Sequence, residues 1–210
     1  MFDNKSGCVV LNNGYQMPCL GLGTWRSDPG AVQRAVEEAI DCGYRHIDCA
    51  FVYGNESEVG EALKRKFQDG TIKREDIFVT TKIFPKFFDE KDMEKNLKVS
   101  LQRLQLSYVD QVLLHSPMAL KNVNRNFDTD LEVIDGKVQC DDIHYTDAWK
   151  TLENIYQSTD KVRSIGVSNF NVYQIDKVLK TCKIKPVINQ CEMHPYALRG
   201  PFVNLSLNIW

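Results

Sequence analysis

Four side chains that can take part in proton transfer stand at or just beyond the ends of apolar runs that predict β-strands. Asp48 closes the run HID, and Tyr53 follows five residues later. Lys82 ends the run IFVTTK, and His115 ends YVDQVLLH. The carboxyl ends of parallel strands meet on one face of a barrel, so this assignment predicts that the four side chains share one site.

The four residue types suit a general acid with its tuning partners. An unperturbed tyrosine loses its proton near pH ~10, so donation at neutral pH requires a nearby cation that lowers its pKa. Lys82 can be that cation, and Asp48 can pair with it, because an unpaired buried ammonium is costly. His115 can orient a substrate carbonyl by a hydrogen bond. The set predicts proton donation by Tyr53.

Each of these residues also has a purely structural interpretation. Asp48 could cap a turn, and Tyr53 could be a half-buried aromatic. Lys82 could extend its ammonium to solvent from a strand edge, and His115 could be a hydrogen-bonded core histidine. These interpretations are reasonable singly, but they do not explain why every predicted strand from the second to the sixth ends in a polar group.

Polar residues also end the fifth and sixth predicted strands. Ser168 and Asn169 follow VRSIGV, and Gln190 stands within PVINQCE. Ser168 and Asn169 could instead begin the next helix, with Asn171 as a competing N-cap.

Apolar runs and helical patterns alternate along the chain in six strand–helix units, which predicts a parallel sheet with covering helices. A barrel and a doubly wound sheet both fit this alternation. The first turn lacks G-x-G-x-x-G, which weakens the case for the doubly wound sheet. VVLNNGYQM predicts a β-hairpin with an Asn-Gly turn ahead of the first unit, suited to plug a barrel. Residues 116–145 predict a long polar loop.

Two helices carry clear signals. Asp28 is the predicted N-cap of the first helix, with Pro29 in its first turn and Gly43 as its stop. The third helix carries an apolar stripe that predicts its buried face, formed by Met93, Leu97, Leu101 and Leu104.

Composition excludes several classes of protein. The 210 residues are 43% hydrophobic with a net charge of −2, which fits one domain that binds neither nucleic acid nor membrane. The N-terminus shows no secretory signal, and seven scattered cysteines without C-x-x-C favour a reduced, cytoplasmic setting. The chain has no H-x-H in its first strand, which disfavours a metal hydrolase and predicts no metal.

The segments GYRHIDCAFVYGNESEVG, TTK, LLHSP, VRSIGVSNF and NQCEMHPY resemble the aldo-keto reductases. The resemblance extends from about residue 8 to residue 196. It implies a (β/α)8 barrel of the TIM type that reduces aldehydes or ketones to alcohols with NADPH. The resemblance gives Tyr53 the role of general acid, supported by Asp48, Lys82 and His115.

The resemblance also implies binding residues. Those for the cofactor NADPH or NADP are Gly23, Thr24, Trp25, Asp48, Ser168, Asn169 and Gln190. Those for a small carbonyl substrate are Trp25, Val52, Phe84, His115 and Phe127.

The chain departs from the family after HPY. Residues 1–196 are predicted to form a partial reductase barrel with about six of its eight βα units, and residues 197–210 a divergent C-terminal tail. Gly200-Pro201 opposes the helix that the family has there. We expect open edges on the first and sixth strands to favour self-association, and NADPH to bind this chain weakly. The alternative hypothesis is a catalytically impaired remnant or splice-type variant that acts as a non-enzymatic binding or interaction protein.

Overall fold

The computed structural model describes residues 2–3, 7–198 and 200, and describes side chains from residue 7 onward. The strands are β1 (Phe2–Asp3), β2 (Cys8–Val10), β3 (Gln16–Pro18), β4 (Leu22–Gly23), β5 (His46–Asp48), β6 (Phe78–Ile83), β7 (Gln111–Leu114), β8 (Val133–Ile134), β9 (Lys137–Val138), β10 (Ile165–Ser168) and β11 (Asn189–Gln190). The helices are α1 (Ala31–Asp41), α2 (Glu56–Gln68), α3 (Glu90–Leu104), α4 (Tyr145–Ser158) and α5 (Val172–Thr181). Short 3-10 helices span Phe51–Tyr53, Arg74–Asp76 and Pro85–Phe87.

The central sheet has six parallel strands in the order β11-β10-β7-β6-β5-β4. Neighbouring strands follow chain order from one edge to the other, without the reversal that marks a doubly wound sheet. This order favours the barrel over the doubly wound alternative. In the described part of the chain, β4 and β11 are the edge strands, each two residues long with one neighbour.

The helices cover the sheet through the apolar stripes that the sequence predicts. All four stripe residues of α3 are buried, from Met93 to Leu104. They join a core that includes Ile47 and Val112 of the sheet and Trp149 of α4. Burying a leucine side chain stabilises a fold by about 1.5–3 kcal/mol, so each stripe attaches its helix firmly to the sheet.

The predicted start of α1 is wrong. The N-cap is Gly30, whose φ of 79° is left-handed, and Asp28 contributes only its carbonyl, which accepts from the Ala31 amide. The glycine turn delays the helix by two residues, so Pro29 precedes it rather than lying in its first turn. The predicted stop is confirmed, because Gly43 follows the helix with φ of 96°.

The predicted hairpin is confirmed as β2 and β3, with Gly14 at φ 88° in its turn, and β1 adds a third strand that we did not predict. The hairpin closes the amino-terminal end of the sheet. Asn12 donates to the Pro186 carbonyl at 3.0 Å, and Asn13 donates to the Arg163 carbonyl at 3.1 Å. Leu11 is buried in a small cluster beneath it. These contacts support the predicted plug.

The segment between β7 and α4, residues 116–144, is called the long loop below. The sequence predicts a polar loop over residues 116–145; Tyr145 instead begins α4, and most of the remainder is irregular. A small antiparallel pair of strands, β8 and β9, interrupts it. Of the predicted tail, residues 199 and 201–210 lie outside the described residues, and the boundary at residue 196 stays a prediction.

Candidate active site

Strand alternation directs the predicted site residues to the inner face of the curved sheet. His46 and Asp48 lie two residues apart on β5, and Thr80 and Lys82 do the same on neighbouring β6, so each pair shares a face. The lower layer joins His46 Nε2 to Thr80 Oγ1 at 3.0 Å. The upper layer, nearer the carboxyl ends of the strands, joins Asp48 to Lys82.

Lys82 is the centre of the site. Its side chain is 1% exposed, and its Nζ donates to Asp48 Oδ1 at 2.8 Å and Oδ2 at 2.7 Å. The same Nζ donates to the Cys49 carbonyl at 2.8 Å and to Tyr53 Oη at 3.2 Å. These partners offset the cost of burying an ammonium group. The predicted Lys82–Asp48 pair is therefore present.

Tyr53 ends the 3-10 helix that follows β5. This helix places the Tyr53 phenol over the carboxyl ends of the strands. Its ring packs edge-on against His115, with centroids 5.6 Å apart, and lies 6.4 Å from the Trp25 ring. The structure therefore brings Asp48, Tyr53, Lys82 and His115 together, as the strand-end argument predicts.

The pKa of Tyr53 differs from the expectation. Burial raises the pKa, and the nearby Lys82 ammonium opposes that rise without cancelling it. The Asp48 carboxylate adds to the rise. The predicted lowering of the pKa below its ordinary value is wrong for this structure, because desolvation of a phenolate outweighs a cation that is already paired. The phenol stays protonated at neutral pH.

His115 is neutral at the same pH. Burial, followed by the positive charge of Lys82, lowers the pKa of His115 to about 4. Its Nδ1 atom is buried and has no hydrogen-bond partner among the described residues. A proton on Nδ1 would thus be a buried, unpaired donor, so the tautomer with the proton on Nε2 is favoured.

The ends of β10 and β11 close one side of the site. Ser168 Oγ donates to the Gln190 carbonyl at 2.9 Å, and Asn169 Nδ2 donates to the His115 carbonyl at 3.0 Å. Asn169 has a left-handed φ of 63°, a strained conformation that is often found at functional sites. Neither residue caps α5, because Asn171 does so with its own side chain. The structure therefore excludes the interpretation that Ser168 and Asn169 begin the next helix.

Gly23 at the end of β4 and the two residues after it lie at different depths. A Cβ on Gly23 would meet nothing within 4 Å, so the space above Gly23 is open. Thr24 is fully buried, and its Oγ1 donates to the Asp48 carbonyl at 3.0 Å. Trp25 is 62% exposed beside the site, with the Arg26 guanidinium 4.3 Å from its ring centroid.

Three of the predicted substrate residues belong to one apolar cluster. Phe84 is buried, and Val52 and Phe127 are partly buried against Phe51 and Phe87 of that cluster. Val52 directly precedes Tyr53, which makes the cluster continuous with the site. The rings of Trp25 and His115 lie beside Tyr53 instead, so the structure divides the predicted substrate residues into two groups, which Val52 links along the chain.

Sequence reasoning missed several residues that support the site. Asn55 Nδ2 donates to the Thr24 carbonyl at 2.8 Å. The buried Glu56 accepts from Thr81 on the outer face of β6, and burial raises its pKa. Lys86 and Phe87 contact the long loop. The run FPKFF, residues 84–88, is the signal in the sequence that could have indicated these two residues.

Across the described ranges, no group of three or more histidine, cysteine, aspartate or glutamate residues is placed to hold a metal ion. Nor does this part of the chain contain a helix with the length and apolar character needed to cross a bilayer.

Comparison with known proteins places this geometry in context. The profile of the Aldo/keto reductase family matches residues 19–202. The chain is 45% identical over 197 residues to Aldo-keto reductase family 1 member A1-A of Danio rerio, covering 93% of this chain and 60% of that protein. It is 41% identical over 199 residues to family 1 member A1 of Homo sapiens, covering 94% and 60%. The chain thus spans 60% of the length of these curated relatives.

A solved structure gives the same picture for the fold. The aldose reductase from Schistosoma japonicum matches with a TM-score of 0.85 and 38% identity, over 93% of this chain and 66% of that one. The likeness confirms the predicted (β/α)8 type, of which six parallel strands lie in the described residues.

Proposed function

Because the chain belongs to the Aldo/keto reductase family, we propose that it is an NADPH-dependent oxidoreductase that reduces aldehydes or ketones to alcohols. The observation that carries the proposal is the buried ammonium of Lys82. It bonds the Asp48 carboxylate and the Tyr53 phenol at once. An apolar cluster would give the fold about as much stability as this arrangement does. An acid catalyst, by contrast, requires such an arrangement.

The residues present fit a nicotinamide cofactor. The nicotinamide ring carries a carboxamide, which needs both donors and acceptors, and Ser168, Asn169 and Gln190 offer both at the ends of β10 and β11. The open space above Gly23 leaves room for the cofactor against the backbone. NADPH supplies a hydride to the carbonyl carbon when it is bound. Thr24, Trp25 and Asp48 complete the proposed binding set.

The protein's own residues then deliver the proton. Tyr53 is protonated at neutral pH and donates its proton to the carbonyl oxygen. Lys82 stabilises the phenolate that this step leaves, since its ammonium lies 3.2 Å from the oxygen. Asp48 holds Lys82 in place with both carboxylate oxygens. The neutral imidazole of His115 donates a hydrogen bond that orients the carbonyl.

The apolar cluster beside Tyr53 suggests the substrate class. Val52 directly precedes Tyr53 and packs in one apolar cluster with Phe84 and Phe127, while Trp25 offers an exposed ring beside the phenol. This environment suits carbonyl compounds with aromatic or aliphatic bodies better than strongly charged ones.

A second candidate is binding without catalysis, which the edge strands favour. Within the described residues, β4 and β11 each present one unpaired edge, and such edges invite pairing with another chain. Self-association of the purified chain, measured by light scattering as its concentration rises, is the expected sign of this behaviour.

The deciding experiment combines activity with cofactor binding. Cofactor binding is followed by tryptophan fluorescence, and NADPH consumption is followed with a nitrobenzaldehyde. Consumption that disappears in Tyr53→Phe while binding persists supports the reductase. Equal consumption in both proteins, or none at NADPH concentrations where binding is observed, contradicts it and favours the second candidate.

A further inference from the structure

Three consecutive residues after β6 hold the long loop at separate points. We call Pro85–Phe87 the loop dock. The Pro85 carbonyl accepts from the Leu120 amide at 3.1 Å, near the start of the loop. The Phe87 ring stacks on Phe127 near its middle, with centroids 4.5 Å apart and planes 3° apart. One turn of 3-10 helix thus fixes the loop's path beside the site.

Lys86 supplies the polar part of the dock. Its side chain is 3% exposed, and its Nζ donates to Asp128 Oδ1 at 2.7 Å and to the Asp130 carbonyl at 2.9 Å. Both acceptors lie in the long loop, within three residues after Phe127. A buried ammonium is costly without such partners. The loop therefore cannot leave the dock unless the Lys86 ammonium moves into solvent or stays buried without a partner.

Phe127 is held on more than one side. Its ring packs against Phe87, and the Lys95 ammonium of α3 lies 3.8 Å from its centroid. Through Phe87 the ring joins the cluster that contains Val52 and Phe84. The position of Phe127 is therefore determined by Phe87 of the dock and by Lys95 of α3, and not by the loop alone.

We propose that Lys86 is a specificity-determining positioning residue: it anchors the long loop so that Phe127 stays packed on Phe87, within the apolar cluster that adjoins Tyr53 through Val52. The substrate class that this cluster selects is a carbonyl compound with an aromatic or bulky apolar body. The anchoring stands on the geometry of the dock, whereas the effect on substrate choice rests on the proposed function. Lys86 does not touch the reacting atoms, so its removal should alter selection more than chemistry.

The anchoring is tested without any activity. Hydrogen exchange of backbone amides is measured over residues 118–131 in the full chain. Lys86→Met, which keeps the length and removes the charge, should raise exchange there by about tenfold, as expected for the loss of charge-assisted hydrogen bonds. Lys86→Arg keeps the charge and should restore much of the protection. Lys98→Met, at an exposed position on α3, is the matched control and should change nothing in the loop.

A second variant is used if Lys86→Met does not fold. If Lys86→Met loses the overall fold in a thermal melt, Asp128→Asn replaces it, because the amide keeps the size of the side chain and removes its charge. It should raise exchange in the loop by a few-fold and leave the helices protected. Unchanged loop exchange in every folded variant would refute the anchoring.

The effect on specificity is measured separately by steady-state kinetics. Lys86→Met should raise KM for a bulky aromatic aldehyde by about tenfold and leave kcat within about twofold, with little change for a small aliphatic aldehyde. An equal loss for both aldehydes, or a loss confined to kcat, would overturn the specificity role. If the wild-type chain reduces neither aldehyde, the proposed function has failed and the exchange result still decides the anchoring.

Discussion

The side chain of Gln190 donates a hydrogen bond to Asp48 Oδ1 at 2.9 Å, although three strands separate β11 from β5 in the sheet. Side chains of strands so far apart can meet only if the sheet curves strongly and both point inward. The contact joins the last strand of the described sheet to the central ion pair. It also gives the Asp48 carboxylate a second donor group in addition to the Lys82 ammonium.

Replacing Gln190 by leucine should lower the free energy of unfolding by about 1 kcal/mol, since a hydrogen bond to a charged acceptor is lost at a partly buried site. It should also weaken NADPH binding if the proposed cofactor role holds. Urea unfolding measures the first effect and tryptophan fluorescence the second. Gln102→Leu, at an exposed position on α3, should stay within about 0.5 kcal/mol of the parent. A Gln190 variant as stable as this control would show that the contact adds nothing.

Lys82→Met should destabilise the fold by about 3 kcal/mol, because it leaves the Asp48 carboxylate largely buried without its cation. The same change should raise the pKa of Tyr53 further, because the ammonium that opposes the effect of burial is gone. Urea unfolding and absorbance titration of the tyrosinates measure the two effects, with Lys82→Met/Tyr53→Phe to isolate the Tyr53 signal.

Lys66→Met is the control for this substitution. Lys66 pairs with Asp41 on the surface, where the remaining aspartate stays solvated, so this variant should be nearly as stable as the parent. Equal destabilisation by both lysine substitutions would contradict the special position of Lys82.

The sequence predicts contacts that follow from strand geometry and misses those that depend on curvature or loop packing. The Asp48–Lys82 pair follows from adjacent parallel strands, whose ends must meet. The Gln190–Asp48 bond depends on how far the sheet bends, which no local pattern encodes. The anchoring of the long loop by Lys86 depends on a contact 42 residues along the chain.

The direction of the Tyr53 pKa shift shows a different limit of prediction from sequence. The sequence identifies the groups that act on the phenol, but burial and the Lys82 charge act in opposite directions. Only distances and burial decide which of them is larger. The start of α1 shows a similar limit on a smaller scale, because two adjacent residue types that favour helix ends, Pro29 and Gly30, allow more than one boundary.

Gly60 marks a close approach of two helices. A Cβ at this position of α2 would lie 2.3 Å from the Arg103 carbonyl oxygen of α3. Alanine favours a helix over glycine by about 1 kcal/mol, but overpacking costs about 1–3 kcal/mol, so Gly60→Ala should destabilise the fold on balance. Ser57→Ala, exposed on the same helix, should be neutral or slightly stabilising in the same urea unfolding assay. A stabilised Gly60→Ala would mean that the two helices separate at little cost.

His115 should make stability depend on pH. The pKa of His115 in the folded state is about 4, against an ordinary value of 6.5, because burial and then Lys82 disfavour the imidazolium. The unfolded chain therefore binds more protons between these values, so stability is fully present above pH 6.5 and falls as the pH drops toward 4. The loss attributable to His115 should approach about 3 kcal/mol.

His115→Phe removes the titrating group and keeps a ring of comparable shape next to Tyr53. In urea unfolding from pH 7.5 to pH 4, the free energy of unfolding of the parent minus that of this variant should therefore fall by about 3 kcal/mol. The pKa of His46 is also lowered by burial, but that contribution is present in both proteins and cancels in the difference. A constant difference between the parent and His115→Phe across this range would show that His115 is not held neutral by the fold.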